Sequence, residues 1–256
     1  MDDGASRRTE KYGPLPDQEG DLYLPARPRP PVVCLLHGGY WRMPYGRDQM
    51  TAVAEDLVGR GFAVWNLEYR RLGVPTGGWP GTCDDAIAGI ERLAGFAADG
   101  VDLDLNRVVV TGHSAGGHLA LWAAARQRRD MASGAGRAVR ISAVVGQAPM
   151  ADLVRACELG VGGGVVREFL GGTPTEQAAR YQSASPYAML PLQVPQLVIH
   201  GTADDDVPIE IARRYTQAAR AAGDEVELLE LPDTGHMDYL DPASPAHAAL
   251  CGWLAR

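Results

Sequence analysis

Short runs of apolar residues recur along the chain, each bounded by glycine, proline or polar residues. The run Val32–Leu36 contains no polar residue, which is typical of a strand buried on both faces of a sheet. The residues Asp21–Pro25 are a candidate for a short early strand. The remaining runs predict strands at Val32–Leu36, Phe62–Leu67, Arg107–Thr111, Ile141–Val145, Pro195–His200 and Val226–Leu231.

Between these runs the apolar residues recur at helical spacing. Met50, Val53 and Leu57 share one stripe, and Gly61 is a natural stop. The predicted helices are Asp48–Arg60, Asp84–Ala98, Ala115–Arg126, Ile209–Ala222 and Ala246–Leu254. Strands that alternate with helices predict an α/β fold, because each parallel return needs a crossover and most crossovers are helical. We therefore expect a mostly parallel central sheet with helices on both faces, in a single domain over residues 1–256.

Residues 148–191 fit no simple strand–helix unit. We interpret them as a small insertion after the sixth-strand region of the sheet, and as a candidate lid over it. The glycine-rich stretch Gly160–Gly164 favours mobility there.

The strongest chemical signal is Gly112-His113-Ser114-Ala115-Gly116, which follows an apolar strand and opens a helix. This is the G-x-S-x-G pattern of a nucleophile elbow, in which a serine stands on a sharp strand-to-helix turn. Small residues on either side let the chain approach closely, and the helix N-terminus supplies positive potential. The alternative is a glycine-rich turn with an incidental serine. The context predicts Ser114 as a nucleophile.

A second glycine turn, His37-Gly38-Gly39-Tyr40-Trp41, follows the strand Val32–Leu36. Acyl transfer needs backbone N–H groups aimed at the developing oxyanion, and glycines can offer them unobstructed. We predict an oxyanion hole from the amides of Gly38, Gly39 and Ala115. A plain glycine turn is the alternative.

Acids follow the strand Pro195–His200 in the segment His200–Pro208. Asp204 is preferred as the catalytic acid on the spacing G-x-x-D-x-x-V-P. Asp205 and Asp206 are better explained as solvated loop acids or as acids at the start of a helix. Asp152 is a rival, because it follows the strand Ile141–Val145, which ends at the same edge of the sheet.

His236 lies in the loop after the last predicted strand, from which it can reach the serine. We predict it as the general base. The other histidines have more ordinary explanations. His37 and His200 flank turns that they can hold by hydrogen bonds, and His118 packs on the elbow helix. His113 is expected to point away from the nucleophile, and His247 to lie on the surface.

The net charge of −8 argues against nucleic acid and anionic membranes as partners. The N-terminal residues lack a signal-type apolar region, and no run is apolar enough to span a membrane, so the expected location is the cytoplasm. The four cysteines form no CxxC pair and no cluster with histidines at the spacing of zinc ligands. We expect no disulfide, no metal and no organic cofactor. The sequence does not determine the oligomeric state.

These motifs fall in the chain order Ser, Asp, His, and the chain resembles the α/β-hydrolase superfamily over nearly its full length. The segments HGGYW, GHSAGGH, HGTADDDVP and GHMDYLDP resemble the arylformamidase (kynurenine formamidase) and carboxylesterase HGGxW group. Tyr40 stands where lipase-type relatives have a third glycine. The resemblance implies hydrolysis of N-formyl-kynurenine or of small carboxylic esters.

We therefore expect a serine hydrolase that cleaves a small-molecule ester or arylformamide through an acyl-enzyme. Tyr40, Trp41 and Trp79 are candidates to line the substrate pocket, although such residues more often serve packing. The alternatives are an esterase without formamidase activity and a catalytically silent binding protein on the same fold. A peptidase is disfavoured, because no added substrate domain is evident.

Overall fold

A computed structural model describes residues 5–256, in which one eight-stranded sheet forms the centre of the molecule. The spatial order is β1-β2-β4-β3-β5-β6-β7-β8; β1 and β2 run antiparallel to their neighbours, and β3 to β8 are parallel. The strands are β1 Ser6–Lys11, β2 Glu19–Leu24, β3 Pro31–Leu36, β4 Ala63–Leu67, β5 Asp104–His113, β6 Ile141–Gln147, β7 Gln196–Gly201 and β8 Val226–Leu231.

Helices cover both faces of the sheet. The larger apolar cluster lies on the face that packs against α2, α3 and α7 and includes Trp65 and Phe96. The opposite face packs against α1 and α8, around Leu35 and Ile199. The helices are α1 Thr51–Gly59, α2 Gly81–Ala98, α3 Ala115–Ala132, α4 Leu153–Glu158, α5 Val161–Leu170, α6 Ala178–Ala184, α7 Glu210–Ala221 and α8 Pro245–Leu254. Three short 3-10 helices are Arg47–Met50, Pro186–Met189 and Asp238–Leu240.

The mostly parallel sheet with helices on both faces is confirmed, and each of the six predicted strands and five predicted helices is present. Their bounds agree within three residues, except that α3 ends six residues later than predicted. The first strand, β1, is missing from the prediction. Most of its side chains are exposed, so it carries no apolar signal, and it is held by antiparallel pairing to β2. No helix in residues 5–256 is long and apolar enough to cross a membrane.

The segment 148–191 contains α4, α5, α6 and the 3-10 helix Pro186–Met189. It is anchored to α3 by two hydrogen bonds: Trp122 Nε1 donates to the Ser183 carbonyl at 2.9 Å, and His118 Nε2 donates to the Ala184 carbonyl at 2.8 Å. His118 is thus a packed residue of the elbow helix, as expected. The lid role of this segment stays a prediction.

One sequence expectation about α8 is wrong. His247 is fully buried, not on the surface, because its imidazole faces Asp56 of α1 with Nε2 and Oδ2 2.6 Å apart. An isolated terminal helix shows no such partner in its own sequence, and only the packing of α8 beside α1 supplies it.

Candidate active site

Ser114 occupies the sharp turn between β5 and α3. Its backbone angles are φ 55° and ψ −115°, a region that non-glycine residues rarely adopt. The Ser114 N–H donates to the Gln147 carbonyl at 2.8 Å, which ties the turn to the end of β6. A side chain on Gly116 would place its Cβ 2.0 Å from the Leu36 carbonyl oxygen, so only glycine lets α3 start this close to β3. This is the geometry of a nucleophile elbow.

His236 and Asp204 form a hydrogen-bonded pair, with His236 Nδ1 2.8 Å from Asp204 Oδ2. The other carboxylate oxygen accepts the N–H of Val207 at 2.8 Å and that of Asp206 at 3.0 Å. The Asp204 carboxylate is wholly inaccessible. Its burial alone would raise its pKa, but hydrogen bonds from His200, His236 and the Val207 N–H hold that pKa well below its usual range. An ionised acid on Nδ1 favours the tautomer that leaves Nε2 free to accept a proton.

His113 links the Ser114 turn to the His236 loop. Its Nε2 donates to the His236 carbonyl at 2.8 Å, and the two rings lie 4.5 Å apart between centroids. Burial lowers the pKa of His113 to about 3, so the ring is neutral and remains a donor at Nε2. His113 is adjacent to Ser114 in the sequence. The sequence does not indicate its contact with His236, which lies 123 positions away.

His200 and Tyr239 hold the loop of the acid. His200 Nε2 donates to the Val207 carbonyl at 2.8 Å and lies 3.4 Å from Asp204 Oδ2. The Tyr239 hydroxyl accepts the Gly201 N–H at 2.7 Å, and its ring stacks on His113 at 5.3 Å. The expectation that His200 holds a turn by a hydrogen bond is confirmed. Nothing in the sequence marks Tyr239, because its role depends on two loops that meet only in the folded chain.

The loop after β3 brings Gly38 close to Ser114. A Cβ built on Gly38 would lie 3.4 Å from Ser114 Cβ, and one on Gly39 would lie 2.2 Å from Tyr45 Cβ. Gly39 also has a φ of +97°, which favours glycine. Ala115 opens α3, where backbone N–H groups have no partner inside the helix. Their use as an oxyanion hole stays a prediction.

A buried cluster supports this loop from below. His37 Nε2 lies 2.7 Å from Glu68 Oε1, and the His37 ring stacks on Tyr69 at 4.2 Å with an interplanar angle of 4°. The Tyr69 hydroxyl donates to the His37 carbonyl at 2.7 Å. Burial would raise the pKa of Glu68, but His37 and Arg71 beside it hold that pKa below its ordinary value. The role expected for His37 is confirmed, and Tyr69, which had no assigned role, is part of the same support.

The three predicted pocket aromatics lie in different environments. The Tyr40 hydroxyl donates to Asp206 Oδ1 at 2.8 Å, and its ring lies against Gly162 of the insertion. Trp41 has no accessible surface and stacks on Phe169 at 4.3 Å, so in this structure it is a core residue. Trp79 is half-buried, edge-on to Trp122 at 6.0 Å. Substrate contact by Tyr40 and Trp79 stays a prediction, whereas Trp41, with no accessible surface, lines no open pocket in this structure.

The rival acids are engaged elsewhere. Asp152 caps α4, where it accepts the Arg155 N–H at 3.0 Å, and lies 3.3 Å from Arg214 Nε. Asp205 is exposed, and Asp206 accepts the Tyr40 hydroxyl. Among the described acids that competed in the sequence, Asp204 is the one that bonds to His236.

The sheet order, the elbow at Ser114 and the acid–histidine pair at the carboxyl edge of the strands define the α/β-hydrolase fold. The BD-FAE family model matches residues 21–218, which include Ser114 and Asp204. The chain belongs to the BD-FAE family.

Two curated relatives of the chain are esterases by name. The chain is 28% identical to esterase LipC of Mycobacterium tuberculosis over 253 residues, covering 93% of this chain and 61% of the relative. It is 26% identical to the isoprenylcysteine alpha-carbonyl methylesterase ICME of Arabidopsis thaliana over 250 residues, covering 91% and 56%. The chain thus spans roughly three fifths of the length of these relatives.

Solved structures share the fold at low sequence identity. A bifunctional GH43-CE protein of Bacteroides eggerthii superposes with a TM-score of 0.84 at 23% identity, covering 100% of this chain and 38% of the other. Esterase B of Lactobacillus rhamnosis gives 0.81 at 22% identity, covering 99% and 85%. These likenesses establish the architecture.

Proposed function

We propose that the protein is a carboxylesterase-type serine hydrolase that cleaves small carboxylic esters through an acyl-enzyme. The observation that carries the proposal is the buried Asp204–His236 pair, held by His113 beside the strained turn of Ser114. The esterase names of the relatives support the reaction class.

In this mechanism His236 takes the proton of the Ser114 hydroxyl as its oxygen attacks the ester carbonyl carbon. Asp204 keeps the imidazole in the required tautomer and stabilises its charged form. The oxyanion is stabilised by the amides of Gly39 and Ala115, with Gly38 in support; loss of one such donor typically costs about 3–4 kcal/mol. The leaving alcohol recovers the proton from His236, and water then repeats the sequence on the acyl-enzyme.

The finer substrate hypothesis is an arylformamide such as N-formyl-kynurenine. It depends on the resemblance of the HGGYW and GHMDYLDP segments, whereas the relatives named above are esterases. Both substrates present a small acyl group to Ser114, so the same residues serve either reaction. We rank the ester first and take a small-molecule substrate as the partner of this site.

The decisive experiment measures p-nitrophenyl acetate hydrolysis by wild type, Ser114→Ala and the control Ser133→Ala, which changes an exposed serine at the end of α3. We expect Ser114→Ala to lose at least about 10⁴-fold in kcat and Ser133→Ala to keep wild-type turnover. A fluorophosphonate probe should label wild type and Ser133→Ala but not Ser114→Ala. Absence of labelling and turnover in wild type would support the alternative of a silent binding protein.

Side-by-side kinetics with N-formyl-kynurenine separate the two substrates. Fast ester hydrolysis beside negligible formamide hydrolysis would leave the esterase and remove the arylformamidase hypothesis. The reverse ratio of kcat/KM would make the formamide the principal substrate.

A further inference from the structure

A second cluster of reactive side chains lies away from Ser114, on the face of the sheet covered by α1 and α8. It consists of Asp56 from α1 and of His247 and Cys251 from α8. His247 and Cys251 are four residues apart, so they share one face of α8. The N-cap of α8 fixes this face, because Ser244 Oγ accepts the His247 N–H at 3.1 Å.

The three polar atoms converge on one point. His247 Nε2 is 2.6 Å from Asp56 Oδ2 and 3.2 Å from Cys251 Sγ, and Cys251 Sγ is 3.9 Å from Asp56 Oδ2. A point equidistant from three atoms so spaced lies about 2 Å from each, close to the 2.0–2.3 Å that zinc makes to nitrogen, oxygen and sulfur. An ion therefore needs only small side-chain shifts to reach all three.

We propose that Asp56, His247 and Cys251 form a binding site for a Zn²⁺-type transition-metal ion that joins α1 to α8. One nitrogen, one oxygen and one sulfur ligand match the preferences of zinc rather than those of magnesium or calcium. The sequence does not reveal this site, because Asp56 lies 191 residues from His247 and no CxxC pair is involved.

Burial and charge determine how an ion reaches this site and what competes with it. His247 is fully buried and Cys251 nearly so, whereas the Asp56 carboxylate is 28% exposed and leaves a route for the ion and for a water as fourth ligand. Arg60 Nε also donates to Asp56 Oδ2, at 2.6 Å, and competes with a cation for that oxygen. Because Arg60 is half-exposed, it can turn into solvent when the ion binds.

The thiol must lose its proton to the solvent as the sulfur–metal bond forms. Burial raises the pKa of Cys251 to about 11, so the metal-free thiol is protonated at neutral pH and binding releases one proton. The His247 Nδ1 is buried without a hydrogen-bond partner among residues 5–256. Histidine ligands usually have such a partner, and we expect its lack to weaken binding about 10–100-fold relative to a fully supported site.

The site is structural rather than catalytic. α1 ends at Gly59, just before β4 begins, so Asp56 lies toward the amino-terminal ends of the parallel strands. Ser114 follows the carboxyl end of β5, at the opposite edge. The ion would thus fasten the last helix to the first without touching the substrate.

Co²⁺ is the probe for the test, because a thiolate ligand gives it a charge-transfer absorption band. Tag-free, full-length protein titrated with Co²⁺ should show this band at one equivalent, and Zn²⁺ should displace it. Cys251→Ser should abolish the band, and the control Cys157→Ser, which changes a half-buried cysteine of α4, should retain it. Absence of the band in wild type, or its persistence in Cys251→Ser, would overturn the proposal.

Arg60→Ala provides a second, opposite readout. Removal of the competing guanidinium should tighten Zn²⁺ binding several-fold, whereas Asp56→Asn should weaken it. In wild type, Zn²⁺ at a hundred times its Kd should raise the melting temperature by about 5–10 °C.

A third measurement uses only the wild-type protein. Bound Zn²⁺ should slow alkylation of Cys251 in wild type, measured by mass spectrometry; unchanged alkylation would contradict the site. Ester hydrolysis should be the same with and without the ion, so this test stands apart from that of the proposed function.

Discussion

At the scale of single residues, the site depends on one ionised carboxylate kept out of water. Asp204 has no accessible surface in its side chain, yet the hydrogen bonds that it accepts from His236 and from backbone N–H groups keep its pKa well below normal. A buried charge is tolerated only when it is paired and hydrogen-bonded. The same bonds that orient His236 therefore also make Asp204 a source of stability.

Asp204 makes stability depend on pH in the acid range. A carboxyl whose folded pKa is depressed stabilises the folded state above its unfolded pKa, about 3.9, and this stability is lost as the pH falls toward the folded pKa. Wild type should therefore lose free energy of unfolding between pH 5 and 3. Asp204→Asn should lose less over that interval and about 10⁴-fold in kcat at neutral pH.

Urea unfolding at the two pH values measures the first effect. Asp205→Asn, in the same loop but exposed, is the matched control and should behave like wild type. Equal acid sensitivity of wild type and Asp204→Asn would show that the carboxylate contributes nothing to the stability of the fold.

His113 is a positioning residue whose role is testable separately from folding. His113→Phe keeps a ring beside Tyr239 but removes the donor to the His236 carbonyl, so the base should shift and kcat fall about 10–100-fold with little change in KM. His113→Gln, which retains an N–H donor, should recover part of the activity.

The control for His113 is His118→Phe, which removes a similar buried bond directed at the insertion. It should lower the melting temperature more than kcat. If both variants lost kcat equally, the bond to the His236 loop would have no special part in catalysis.

At the scale of elements, the close approach of α3 to β3 decides where Ser114 lies. A Cβ on Gly116 would clash with two backbone atoms. It would lie 2.0 Å from the Leu36 carbonyl oxygen and 2.4 Å from the His37 carbonyl oxygen. Both contacts are to backbone, which cannot move as a side chain can. The first turn of α3 is therefore fitted to the end of its neighbouring strand.

Gly116→Ala should consequently cost about 3–5 kcal/mol in the free energy of unfolding, or prevent folding. The control is Gly59→Ala in α1, where an added Cβ meets nothing within 4 Å and should stabilise the helix by about 0.5–1 kcal/mol. Thermal melts of both variants measure the difference. A Gly116→Ala protein as stable as wild type would show that α3 can retreat from β3 without cost.

At the scale of the whole molecule, three segments distant in sequence meet through Tyr40. Its loop follows β3, its hydroxyl bonds Asp206 of the acid loop, and its ring lies against Gly162 of the insertion. This contact lies beside both the Gly38–Gly39 turn and the loop of Asp204. We therefore expect Tyr40 to limit the size of the acyl group that reaches Ser114.

Tyr40→Phe tests this limit. Without the hydroxyl the link to Asp206 is lost, and we expect kcat/KM for butyrate and hexanoate esters to rise several-fold relative to acetate. The melting temperature should fall slightly, since one partly exposed hydrogen bond contributes about 0.5–1.5 kcal/mol. Tyr45→Phe, an exposed neighbour whose hydroxyl has no partner in residues 5–256, is the control. Identical chain-length profiles for the two variants would contradict the role.

The sequence alone was enough to predict the parallel sheet, the elbow at Ser114 and the pairing of Asp204 with His236. These depend on local signals: apolar runs make strands, glycines mark turns, and in a parallel sheet every strand's carboxyl end lies at the same edge. The exposed strand β1 had no such signal, because its pairing with β2 rather than its own composition makes it a strand.

Only the tertiary structure decided what the other buried polar groups do. The contacts of His113 with the His236 loop, of Tyr40 with Asp206 and of His247 with Asp56 each join residues more than 100 positions apart. A side chain's sequence neighbours do not reveal such partners. The physical reason is that hydrogen-bond partners are set by which helices and loops pack together, and packing is a property of the whole chain.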